Sequence, residues 1–184
     1  MKQYSTIFLI FLSICFTYST AFSQQMKPVQ VDSLIVTSIK NDVWIPFMES
    51  YRELDAKKLK SIHSPDIIRV SIGMNKIESG SDYLDNLETF FQRIKKMNRQ
   101  MDITFSIVSS ATTEDKVYQT GYYVFSSKTK DEEQFVPRGF SSFNVMLTKD
   151  KVSGRWKISL DSDKQVQLTL EEFMKSGTIY ELDE

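Results

Sequence analysis

After Asn98 the sequence alternates with period two, in four runs joined by short polar segments. "MDITFSIVSS" sets Met101, Ile103, Phe105 and Ile107 against Asp102, Thr104 and Ser106. "KVYQTGYYVFSS", "FVPRGFSSFNVMLTKD" and "RWKISLDSD" follow it. Such alternation marks strands with one buried face. The connections, "TKDEEQ" and "KVSG" among them, are too short for crossovers, so the four runs predict an antiparallel meander. Phe143, Val145 and Leu147 supply the core face of the third run; Trp156, Ile158 and Leu160 supply that of the fourth.

The chain ahead of Asn98 has the helical period instead. Ile35, Ile39, Val43, Phe47, Tyr51 and Leu54 recur at steps of three or four. Pro46 interrupts this stretch, because proline lacks a backbone donor and clashes with the preceding turn. Either Asn41 or Asp42 caps a helix with Pro46 in its first turns, or one longer helix is kinked. Asp55 is placed to cap a short second helix with Leu59 and Ile62 inward. Pro65 disfavours helical geometry at Ser64, so that helix is expected to stop at His63. "DIIRVSI" reads as a strand, "GMNKIESGS" as a turn-rich connection, and "DYLDNLETFFQRIKKM" as a third helix capped by Ser81 or Asp82. At the far end Thr169 and Glu172 form a capping box and Gly177 a stop. Helices first and strands together afterwards predict an α+β class, with a strongly curved antiparallel sheet closed by the N-terminal helices.

Residues 1–23 read as a secretory signal peptide: Lys2, the apolar run Ile7 to Phe16, then "AFS" before Gln24. The run is shorter than the roughly 20 residues a membrane span needs. Ile14 ahead of Cys15 argues against lipidation, which favours a small residue there. Residues 24–33 form a polar leader, 34–166 the main domain, and 167–184 a capped helix and tail. The expected location is periplasmic or extracellular. Cys15 is the single cysteine among 184 residues, so the mature chain must hold by packing alone, with neither a thiol nucleophile nor a cysteine-ligated zinc. With 23 basic and 24 acidic side chains interleaved, no basic stripe for nucleic acid is present. No phosphate loop, nucleophile elbow, dinucleotide fingerprint or zinc motif occurs, and no cofactor or metal is expected.

The segments "PFMESYRELDAKKLKSIHSPDIIRV", "YLDNLETFF", "TGYYVFSS" and "GRWKISLDSD" resemble the nuclear transport factor 2-like superfamily, in particular its SnoaL-like, secreted single-domain bacterial members. The likeness covers roughly residues 38 to 165. It implies a cone, a curved sheet wrapped around a helix hairpin with a pocket at the open end, and dimers packed through sheet faces. The superfamily includes isomerases, dehydratases, cyclases and proteins that only bind, so the fold does not select a function. The Asp–Tyr–Asp set of its isomerases and the His–Asp pair of its dehydratases are not matched position by position here.

Six residues are candidates for a ligand-binding site. His63, the single histidine, suits a general base because its ordinary pKa is near neutral. The alternative is a histidine at a helix end, whose removal costs no more than about 1–2 kcal/mol. Asp66 and Arg69 follow across the turn into the strand. There Ile68, Val70 and Ile72 are expected to face the core, leaving Arg69 to solvent or to the cone's rim. Tyr122 is a candidate charge stabiliser among the aromatics of the meander. Asp161 and Asp163 share a strand face about 7 Å apart. Regular alternation points both away from the core, and only a bulge or the strand's end would bring them round. Inside and beside Arg69 they would orient a ligand; inside without it, burial would suit one to proton transfer. The sequence thus favours binding of a small apolar or amphipathic molecule without catalysis, by a homodimer with Val124 and Met146 on its outer face. A cofactor-free lyase, isomerase or hydrolase using His63 or an aspartate is the alternative.

Overall fold

The computed structural model describes residues 33–183; the signal segment, Cys15 and the leader up to residue 32 lie outside them. Residues 33 to 53 form one continuous helical stretch with a change of pitch inside it. Helix α1 (Ser33–Ile39) passes into a π-helical turn (Lys40–Trp44) and then into α2 (Ile45–Glu53). The Ile45 N–H donates to the Lys40 carbonyl, a five-residue step. This wider turn immediately precedes Pro46, in the first turn of α2. Neither sequence alternative is met in full: the helix is long, and a π-turn accommodates the proline.

Leu54 adopts a left-handed conformation that ends α2, and Asp55 caps α3 (Ala56–Ser61) by accepting from the N–H groups of Lys57 and Lys58. Leu59 and Ile62 are both buried. The helix stops at Ser61, and His63 opens strand β1 (His63–Ser71) instead of closing a helix. The sheet takes the chain early: the Ile158 N–H donates to the Ile62 carbonyl at 2.9 Å. A 3-10 turn (Ile72–Met74) leads to β2 (Lys76–Ser79), a short strand the turn-rich sequence conceals. Helix α4 (Gly80–Lys96) starts from Ser79 and buries Leu87 and Phe91.

The meander is present as β3 (Gln100–Thr112), β4 (Lys116–Lys128), β5 (Val136–Lys149) and β6 (Trp156–Val166). Helix α5 (Leu170–Lys175) begins with the expected Thr169–Glu172 capping box, and β7 (Thr178–Tyr180) returns to pair with β3. The seven strands run β2-β1-β6-β5-β4-β3-β7. All pairs are antiparallel except β1 with β6, which are joined by a long excursion that includes α4. The class is α+β, a curved, unclosed sheet with the N-terminal helices packed in its concave face.

Trp44 anchors the core between these layers. It is 1% exposed, its ring lies 4.7 Å from Phe105 and 5.5 Å from Phe143, and its indole N–H donates to the Gln119 side chain at 3.0 Å. Gly121 allows β3 and β5 to close in beside it. A Cβ there would stand 2.1 Å from the Ser106 carbonyl oxygen and 2.9 Å from the Phe143 ring. Gly121→Ala is therefore expected to lower stability by about 1–3 kcal/mol, read as a lower denaturant midpoint at unchanged slope. Gly139→Ala, whose nearest neighbour would be 3.9 Å away, is the control and should be silent. Gly177 follows the same logic: its φ is not left-handed, but a Cβ would meet the Ile107 carbonyl at 2.3 Å.

Candidate functional site

Strand β1 turns Ile67, Arg69 and Ser71 into the concave face; Ile67 and Ser71 are buried, whereas Ile68 and Ile72 are 43% and 49% exposed. This reverses the expected face, on which Ile68, Val70 and Ile72 were core. Strand β6 answers β1 in parallel register, Arg69 beside Asp161 and Ser71 beside Asp163.

A single bulge brings the aspartates in. Along β5 and β6, Leu147 pairs with Ile158 but Met146 pairs with Leu160, so Ser159 is the extra residue. Its hydroxyl donates to the Met146 carbonyl at 3.1 Å. One inserted residue inverts the parity of the strand. Trp156 and Ile158 face inward before it, and Asp161 and Asp163 face inward after it. Leu160, expected in the core, is moved to the outer face.

The three charged side chains converge. Arg69 Nη1 lies 3.1 Å from Asp161 Oδ2, and Nη2 lies 2.5 Å from Asp163 Oδ2. The Tyr123 hydroxyl donates to the same Asp163 oxygen at 2.5 Å. The side chains of Arg69, Asp161 and Asp163 are 15%, 13% and 16% exposed. They form the floor of a cavity of about 540 Å³, within the range usual for small-molecule sites. Its walls are aromatic: Phe47 and Tyr51 stack in parallel at 5.5 Å, with Phe90, Phe125 and Tyr83 around them. Met74, Lys76, Glu78 and Arg93 surround the mouth.

Burial sets the electrostatics of this floor. It pushes the Asp161 carboxyl up to about 6, against the pull of Arg69 and with help from the Asp163 charge. Pairing with Arg69 favours the ionised form, but desolvation prevails at Asp161. Burial also works against the Arg69 charge, but the two carboxylates outweigh it and the guanidinium is held more firmly charged than usual. Tyr51, Tyr83 and Tyr123 are raised by burial and by the facing carboxylates, so all three remain hydroxyl donors.

His63 is not in the cavity lining. It is 4% exposed, edge-on to Tyr83 at 5.5 Å, with Phe47 beyond. Nδ1 donates to the Leu59 carbonyl at 2.7 Å, so that nitrogen carries the proton. Nε2 is buried and has no hydrogen-bond partner among the described residues. Burial lowers its pKa to about 4, outweighing the Leu59 hydrogen bond, and Arg69 and Lys157 add to the effect. A buried neutral ring at the start of a strand, supporting two wall residues, replaces the expected helix-end histidine. Asp66 is exposed and outside the cluster. Tyr122 points to the outer face, because Gly121 and Tyr123 take the inward positions on β4. The tyrosine that meets the carboxylate is its neighbour Tyr123, which the alternation of "TGYYVFSS" leaves undecided. Among the described residues no group of three or more metal-ligating side chains converges.

No family model and no curated protein matches the sequence. Solved structures do match in fold. ActVI-ORFA from Streptomyces coelicolor aligns with a TM-score of 0.63 at 10% identity, covering 75% of this chain and 99% of that one. A function unknown protein from Mycobacterium tuberculosis aligns at 0.61 and 13% identity over 81% of both chains. A ketosteroid isomerase-like protein from Erwinia carotovora atroseptica aligns at 0.54 and 13% identity over 74% of this chain and all of that one. These likenesses show the fold: the nuclear transport factor 2-like cone.

Proposed function

We propose that this cone-fold protein binds a small amphipathic organic molecule in the cavity above Arg69, Asp161 and Asp163. The observation that carries the reading is the pairing of aromatic walls with a charged floor at one end, in a cavity of about 540 Å³. Aromatic rings bury an apolar body, and a few fixed polar groups orient it. Ligand-observed NMR against a set of aromatic fragments tests this. Fragments should bind the parent protein, and Thr89→Trp, a change at an exposed position of the lining, should block them. Binding that ignores this plug would place the ligand elsewhere.

One observation favours a second reading, proton transfer. A carboxyl held at about 6 is suited to general-base work near neutral pH. His63 is buried and outside the cavity lining, so the base on this reading is Asp161. A turnover rate that rises with an apparent pKa near that value and vanishes in Asp161→Asn would establish it.

We further propose a homodimer through the outer sheet face. Val124 is unavailable for it: it is 4% exposed and pairs with Phe140, whose ring meets Phe173 of α5 at 5.6 Å. Met146 remains, within a row of cross-strand neighbours formed by Tyr118, Met146, Leu160 and Ile68. Such an apolar stripe suits a two-fold interface. Sedimentation should give a dimer that Leu160→Glu converts to monomer; a monomeric parent would remove the proposal. Export is the reading of residues 1–23, and the secreted chain should begin at Gln24. No helix among the described residues is long and apolar enough to cross a membrane.

A further inference from the structure

We propose that the ligand is an organic cation, a protonated amine on an apolar body, seated with its ammonium group against Asp161 and its body on the aromatic walls. This rests on the cavity being the binding site and names what it selects. The floor holds one guanidinium and two carboxylates, an excess of one negative charge when both aspartates are ionised.

The arrangement of donors points the same way. Arg69 Nη2 is occupied by Asp163. Nη1 is buried and, although 3.1 Å from Asp161, forms no hydrogen bond. Because Nη1 is shut away from the cavity beside Asp161 and Nη2 is taken by Asp163, an incoming anion reaches neither terminal nitrogen of Arg69. Asp163 already accepts from Arg69 and Tyr123. Asp161 has the ion pair alone and accepts no hydrogen bond among the described residues. A carboxylate that lines the cavity in that condition has acceptor capacity left for a ligand, and an ammonium group supplies both donor and charge.

The walls suit the same chemistry. The faces of Phe47, Tyr51, Phe90 and Phe125 carry negative quadrupole density, which attracts a cation within about 6 Å of a ring centroid. At the mouth Lys76 is neutralised by Glu78 at 2.7 Å. Arg93 is exposed, where solvent and salt screen it; the floor is not so screened.

Three probes of one shape test the assignment by calorimetry at neutral pH: 2-phenylethylamine, 2-phenylethanol and phenylacetate. The amine should bind about tenfold or more tighter than the alcohol, and phenylacetate weakest. Amine affinity should fall as the pH drops through about 6 and Asp161 takes up its proton. In Asp161→Asn the preference for the amine should shrink to about twofold or less, while retained alcohol binding shows an intact cavity. Equal binding of amine and alcohol, tightest binding of phenylacetate, or an amine preference that survives Asp161→Asn overturns the cation assignment and leaves the cavity reading standing. Failure of all three probes, or binding that Thr89→Trp does not block, overturns the cavity reading and this assignment with it.

Discussion

Replacing Arg69 by methionine should lower the stability of the folded chain by about 3–5 kcal/mol at neutral pH, the largest effect expected of any single substitution in the site. Asp161 and Asp163 are 13% and 16% exposed, and Arg69 is the partner of both. Without it, two buried carboxylates face each other with no cation between them. Removing one member of a buried ionic group leaves the others uncompensated, which costs far more than the group contributes in net stability. The sign of the pH dependence follows. The folded-state Asp161 carboxyl is already raised above its ordinary value, and with the guanidinium gone it rises further. The protonated form is then the tolerated one, so stability returns as pH falls and is lost again as pH rises through the raised value. Arg69→Met combined with Asp161→Leu and Asp163→Leu should recover stability to within about 1–2 kcal/mol of the parent, because no charge is then buried. Urea melts of the parent, the single variant and the triple variant at neutral and acid pH decide it. A single variant as stable as the parent at neutral pH would show that the cluster is solvated.

The second large effect is hidden in the parent protein. His63 is lowered from 6.5 to about 4 in the fold. A neutral buried histidine leaves stability intact above its unfolded value and withdraws it as pH falls from 6.5 toward 4, by about 3 kcal/mol in all. Asp161 is raised from 3.8 to about 6. Its burial as an anion costs about 3 kcal/mol at neutral pH, and that cost is relieved as pH falls through the same window. The two slopes oppose each other, so the parent should show a nearly flat stability between about pH 4 and 6.5. Asp161→Asn removes the relief, and its stability should drop by about 3 kcal/mol across the window. His63→Phe removes the withdrawal, and its stability should rise as the pH is lowered. The carboxyls of Glu132, Asp150 and Glu172, lowered by hydrogen bonds, are common to parent and variants and cancel in the comparison. Parallel pH–stability curves for parent and variants would sink the argument.

Much of this molecule is written locally. The side-chain cap at Asp55, the capping box at Thr169, the helical faces of α2 and α4, and the alternation that puts Phe143, Val145 and Leu147 inside need only neighbours within one element. Periodicity fixes those, because a helix or strand repeats its geometry over the whole run. The α+β order and the meander follow from the same patterns and from short connections. The site belongs to another level. Asp161 and Asp163 enter the cavity because Ser159 is inserted opposite β5, and "RWKISLDSD" taken alone alternates as if no insertion existed. Arg69, and not Ile68, faces inward because strand parity offers two choices and the carboxylates across the β1–β6 ladder favour one. His63 is buried because the sheet captures the chain at Ile62 before a further helical turn can form. A run of residues determines its own period, but one residue of slip exchanges its two faces, and only the strands and charges it meets in the folded chain decide which face is which.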